Sequence, residues 1–100
     1  MILFAWDEGK AQSNQRKHGV SFERAKFVFQ DPYALMVQDR IEGGELRWQT
    51  LGLVEGIVIL LIAHTIVEEG EDDLVRIISA RRANRQEQLR YEKNRQKYLG

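Results

Sequence analysis

The alternation of apolar and polar positions divides the chain into a strand, two helices, four strands and a last helix. Met1 to Trp6 is an apolar run that stops at Asp7, a good helix N-cap, and Glu8 follows in the first turn, where the helix dipole favours an anion. This predicts a short edge strand leading into a helix over residues 8–18. That helix has almost no apolar stripe and lies on the surface until Gly19, which suits the left-handed position just past a helix end. Ser21 then caps a second helix, whose Phe22, Ala25 and Phe29 recur at helical spacing and which Asp31-Pro32 ends.

From Tyr33 the pattern changes to short runs rich in Val, Leu, Ile, Trp and Thr separated by turn residues, as consecutive antiparallel strands read. Gly43-Gly44 divides a strand over about 33–39 from one over about 46–54. Glu55-Gly56 suits a two-residue hairpin, which would set Val54 opposite Ile57 and Arg47 directly across from His64 on one face of the sheet. Glu68 to Asp73 reads as a solvated acidic loop, and Leu74 to Ser79 as a central strand interrupted by Arg76. Strict alternation along it sets Arg76 on the face opposite Ile77 and Ser79. From Ala80 the composition is helical, with a thin stripe of Ala83, Glu87, Tyr91, Asn94 and Tyr98. The expected class is α+β: an antiparallel sheet of four to five strands with two N-terminal helices and one C-terminal helix.

With 100 residues, 43% of them hydrophobic and 30% charged, the chain fits one domain over 1–100. Cysteine is absent, which removes disulfides and thiolate zinc sites and fits a cytoplasmic protein. The longest apolar run, Ile57 to Ala63, is far short of a membrane span, and no signal-peptide pattern opens the chain. The zero net charge conceals a gradient: residues 1–80 carry 8 basic against 13 acidic side chains, and residues 81–100 carry 7 against 2. Lys10 to Lys26 is a second basic segment. The acidic loop lacks the spacing of a calcium site, so no metal and no cofactor is expected.

Three blocks of residues resemble the BrnT toxins. They are Phe4, Trp6-Asp7, Lys10, Asn14, Lys17-His18-Gly19-Val20, Phe22, Ala25 and Val28-Phe29 ending in Asp31-Pro32; then Gly44-Glu45, Arg47 and Gly52; then Arg76 to Arg81 with Ala83, Glu87 and Tyr91-Glu92. The resemblance implies a RelE-like fold, metal-independent RNA cleavage, and inhibition by a BrnA-type antitoxin whose ribbon-helix-helix domain binds promoter DNA. His64 is not among the residues that carry it.

Metal-free RNA cleavage needs a base for the 2′-hydroxyl, cations for the charge growing on phosphorus, and an acid for the leaving 5′-oxygen. The candidates for catalysis are Arg47, Arg81, His18 and His64. His18 ends the first helix, where a cation also serves simply as a cap; His64 is alternatively a half-exposed strand residue. Arg81 follows the Ser79-Ala80 corner, so its forked donor suits a scissile phosphate. Lys10, Asn14 and Lys17 share one helix face with His18 and are assigned to substrate, a solvated polar face being the other reading. Arg76, Arg85 and Tyr91 join the substrate group, although an arginine inside an apolar strand is also commonly salt-bridged structure. The basic last helix suits either RNA or an acidic antitoxin, and Trp6 and Trp48 either stack a base or fill the core. The expected partners are thus RNA and the antitoxin, with promoter DNA reached only through the antitoxin, no membrane, and a homodimer left open. The competing reading is a non-catalytic module whose basic faces bind protein or nucleic acid without turnover.

Overall fold

In the computed structural model, which describes residues 1–99, the chain opens with strand β1 (Ile2–Ala5) and turns into helix α1 (Glu8–His18) at Asp7. Asp7 Oδ1 accepts the Lys10 amide at 2.9 Å, and Gly19, with φ 70°, ends the helix by donating its amide to Gln15. Both signals act as their chemistry predicts. Ser21 Oγ accepts the Arg24 amide and starts α2 (Phe22–Ala25), but the predicted second helix stays α-helical for one turn only and tightens into a 3-10 segment, Lys26–Gln30. Strands β2 (Leu35–Glu42), β3 (Glu45–Val54), β4 (Val58–Glu69) and β5 (Asp72–Arg82) follow, and helix α3 (Arg85–Leu99) closes the chain. No described helix is long and apolar enough to cross a membrane.

The strands form one sheet in the order β1-β5-β4-β3-β2. Neighbours are antiparallel except β1, which pairs parallel with β5, so the sheet is mixed rather than antiparallel throughout. One side of it carries Val54, Leu60, Ile62, Val75, Ile77 and Ala80, which pack against Ala11, Phe22, Ala25 and Val28 from the N-terminal helices. On the other side Leu51 and Leu61 pack with Ala83 and Tyr91 under α3. The α+β class, with helices on both faces, thus follows the binary pattern, each strand alternating between the two cores.

Two turn regions depart from expectation. Glu55 and Gly56, with φ 58° and 66°, make the expected tight turn, closed by the Ile57 amide on the Val54 carbonyl. The ladder resumes only at Val54↔Val58, however, so Ile57 is one extra residue and the register is displaced by one. The acidic segment is not a loop. Glu68 and Glu69 end β4, Asp72 and Asp73 begin β5, and only Gly70 and Glu71 turn between them. The carboxylates are tolerated because these strand ends project past both cores into solvent.

The 3-10 segment approaches the sheet most closely at Gly52. A β-carbon built there would lie 2.6 Å from Val28 Cγ1 and 3.0 Å from the Val28 carbonyl oxygen, so only a hydrogen fits. We expect Gly52→Ala to destabilise the fold by about 1–3 kcal/mol, the usual cost of overpacking a core, read as a lower urea midpoint at unchanged slope.

Candidate active site

The geometry of the site begins with an irregularity in β5. Ala63 pairs with Ser79 and His64 with Ile77, leaving Ile78 as an extra residue. A bulge of this kind reverses which face successive residues occupy. Arg76, opposite Thr65, therefore shares the α3 side of the sheet with Ser79, opposite Ala63, and Arg81, opposite Leu61. Unbroken alternation had placed Arg76 and Ser79 on opposite faces; the bulge overturns that expectation. Arg47 lies on the same side, four residues before Leu51, which shares a row with Leu61 and Arg81. At about 3.3 Å per residue and about 4.8 Å between strands, the Arg47 and Arg81 α-carbons are roughly 16 Å apart, an interval their side chains can close around one phosphate.

Each of these arginines faces a carboxylate, but not equally. Arg76 pairs with Glu45 at 2.5 Å. Arg81 donates through both terminal nitrogens to Glu87, at 2.8 and 3.0 Å. Glu87 also accepts the Asn84 amide while its own amide donates to Asn84 Oδ1, a reciprocal cap that starts α3 and fixes Arg81 to it. The Arg81 guanidinium holds the Glu87 carboxyl below its usual range, and Glu87 in turn raises the pKa of Arg81. Arg47 differs. Its nearest carboxylate, Glu42, is 3.8 Å away, beyond hydrogen-bond distance, and its Nε is buried without an acceptor.

At the free edge of β5, beyond the end of β1, α1 closes a cleft of about 190 Å³ lined by Lys10, Ser13, Asn14, Lys17, His18, Ile78 and Ser79. Among the described residues, Lys10, Lys17 and His18 form no ion pair. Ser79 belongs to both surfaces, so a nucleic-acid backbone held in the cleft would run onto the arginine face.

The family model "Ribonuclease toxin, BrnT, of type II toxin-antitoxin system" matches residues 6–87. The chain belongs to the BrnT ribonuclease toxin family. Its fold is similar to the 1.1 Å crystal structure of the Brucella abortus ribonuclease toxin BrnT, with a TM-score of 0.62 and 25% identity over 85% of this chain and 99% of that one. No curated protein matches the chain. The family match takes in the α1 cleft, Arg47, Arg76, Arg81 and Glu87, and leaves most of α3 outside.

Several residues selected from the sequence have other duties. His64 does not face Arg47; Trp48 does, and the displaced register puts His64 and Arg47 on opposite sides of the sheet. The imidazole is fully enclosed. Its Nδ1–H donates to the Thr65 carbonyl at 3.1 Å, which leaves Nε2 to accept the Thr50 hydroxyl at 2.7 Å, and Phe29 packs edge-on at 5.0 Å. Asn14 is buried as well: its Nδ2 donates to the Val20 and Ala80 carbonyls at 3.0 and 2.9 Å, and its Oδ1 accepts the Ala80 amide at 3.1 Å. Tyr91 is buried against Leu51 and Leu61 and donates its hydroxyl to Asp31 Oδ2; burial, then that bond, raises its phenol pKa. None of these three has a donor or face left for substrate. Trp6 packs edge-on against Phe22 in the core, Trp48 is half-buried on the α1 side, and Arg85 stands exposed in the first turn of α3.

The sequence reading missed Ser13, Ser79 and Glu87 as site residues. Ser13 lies on the helix face already noted for Lys10 and Lys17, and Glu87 stands three residues after Asn84 in a capping-box pattern, so both had a signal. Ser79 had none, because its side depends on the bulge.

Asn14→Ala would strand the buried Ala80 amide and two carbonyls, and we expect a loss of about 1–3 kcal/mol in urea unfolding. Burial, opposed more weakly by the Thr65 bond, lowers the His64 pKa below its ordinary value of about 6.5. The unfolded chain therefore takes up this proton first, so the contribution is complete above pH 6.5 and declines below it, by up to about 1.4 kcal/mol per pH unit. Urea midpoints from pH 7.5 to 5 should fall for the parent and flatten in His64→Gln.

Proposed function

We propose that this family member is an endoribonuclease that cuts RNA without a metal ion, arrests translation in the cytoplasm, and is neutralised by a BrnA-type antitoxin through which alone it meets promoter DNA. The observation that carries the reading is Arg47, a guanidinium with unspent donors on the same sheet face as Arg81. A buried donor without an acceptor is costly unless a ligand supplies one, and a phosphate oxygen is the acceptor an arginine fork fits best.

In this mechanism Lys10 and Lys17 hold flanking phosphates in the α1 cleft, and His18, at the end of the same helix, exchanges protons. The imidazole takes the proton of the 2′-hydroxyl; the 2′-oxygen bonds to phosphorus; the bond to the 5′-oxygen breaks, and that oxygen takes a proton. The products are a 2′,3′-cyclic phosphate and a 5′-hydroxyl. Arg47 and Arg81 stabilise the charge that grows on the phosphoryl oxygens, Arg81 being held on its approach by Glu87. Arg76, bound to Glu45, lines the face and contributes positive potential.

Arg47→Ala and Arg81→Ala, each shown folded, should reduce cleavage of a synthetic RNA by about 100-fold or more. The parent should cleave equally well in EDTA. Parent-like activity in both variants would misplace the site, a requirement for Mg²⁺ would remove the mechanism, and salt-sensitive RNA binding without turnover would leave only a binding module.

A further inference from the structure

The two largest grooves of the described residues lie at the β3–β4 hairpin, away from the arginine face. One, of about 400 Å³, opens between the hairpin and α3; the other, of about 360 Å³, lies between the hairpin and the 3-10 segment. Both are lined by Leu53 and Gly56, so they form one channel around the turn. Its walls are aliphatic, and at its mouth Ile57 and Phe27 are 78% and 44% exposed. Tyr91 lines the first groove but its ring is 1% exposed, so it offers no face on which a base could stack.

The rim is cationic. Arg82 and Arg95 line the first groove, and neither has a carboxylate within 4 Å. Arg95 rests over the Tyr33 ring at 5.4 Å, and its Nε is buried without an acceptor. Glu92 is the carboxylate on the same wall. Glu87 points to Arg81 on one flank of α3, whereas Gln88, Glu92 and Arg95 line the groove on the other, so an occupant of the channel leaves the arginine face uncovered.

We infer that this channel is the docking site of an acidic, apolar-anchored polypeptide segment of the antitoxin. Aliphatic walls without an exposed ring select a protein side chain over a nucleobase, and two unpaired guanidiniums, one with a buried unused donor, select carboxylates beside it. A path running around the turn through two joined grooves suits an extended segment better than a single inserted residue. The inference rests on the antitoxin reading above but not on the cleavage mechanism.

The test uses the full chain co-expressed with the antitoxin encoded beside it, with complex formation and RNA cleavage by the free toxin measured separately. Ile57→Asp changes an exposed side chain at the hairpin tip, and Arg82→Glu reverses a rim charge. Each should weaken the complex by about 10- to 30-fold while the free variants cleave RNA as the parent does. Val67→Asp, on an exposed residue at the far end of β4, should leave the complex intact. Unchanged affinity in both groove variants overturns the docking site while leaving the toxin reading in place. Loss of RNA cleavage in those variants would mean that the channel serves nucleic acid, and overturns it too. A parent that binds no antitoxin defeats both readings.

Discussion

The carboxamide of Asn14 holds the structure together at the point where its parts would otherwise separate. Strand β1 ends at Ala5, so β5 runs on past it with one edge unpaired. Ala80 lies on that edge, fully buried, with an amide and a carbonyl that no strand can reach. Asn14 satisfies both groups and also the Val20 carbonyl that leads into α2. One side chain thus takes the place of a missing strand, and three linked bonds in the interior tie α1 to β5 beside the Ile78 bulge. The lysines of α1 and the arginines of the sheet keep their relative placement through this bond set.

The cations fall into two groups. Those of the sheet face are partnered by glutamates, most tightly Arg81, whose Glu87 also caps α3. Pairing keeps several arginines on one surface without mutual repulsion, but it also requires an incoming phosphate to compete with carboxylates for Arg76 and Arg81. Arg47 and the α1 lysines are under less competition. First contact with an anion therefore belongs to them on electrostatic grounds, with Arg81 engaged as charge develops.

Helix α3 is held by a few specific contacts rather than by a broad apolar face. Tyr91 is its one buried residue, and the tyrosine hydroxyl reaches Asp31, which also accepts the amides of Leu53 and Tyr33. That aspartate joins the end of the 3-10 segment, β3 and α3. With the Asn84–Glu87 cap at the other end, the helix is fixed at its first turn and middle, and its remaining surface stays polar and basic. The channel beside the hairpin exists because so narrow a seam does not cover the sheet to its end.

Local chemistry was enough to place the elements. Asp7, Gly19, Ser21 and Asp31-Pro32 mark boundaries through bonds made within a few residues, and the change from helical to alternating spacing at Tyr33 separates helices from strands because each periodicity buries only one kind of face. The residues that make up the candidate surface were legible too, since Lys10, Lys17, Arg47 and Arg81 stand out by type and by likeness to the family. Their relative arrangement was not. One extra residue at Ile57 and another at Ile78 decide which side of the sheet His64, Arg76 and Ser79 occupy, and a side-chain period of two turns a single insertion into a change of face. Whether a residue is extra depends on what the neighbouring strand offers, and for Ala80 on an asparagine 66 positions away. Such pairings are settled only when distant segments meet, which is why Asn14, His64 and Tyr91 had chemistry on paper and prove to be structural in the folded chain.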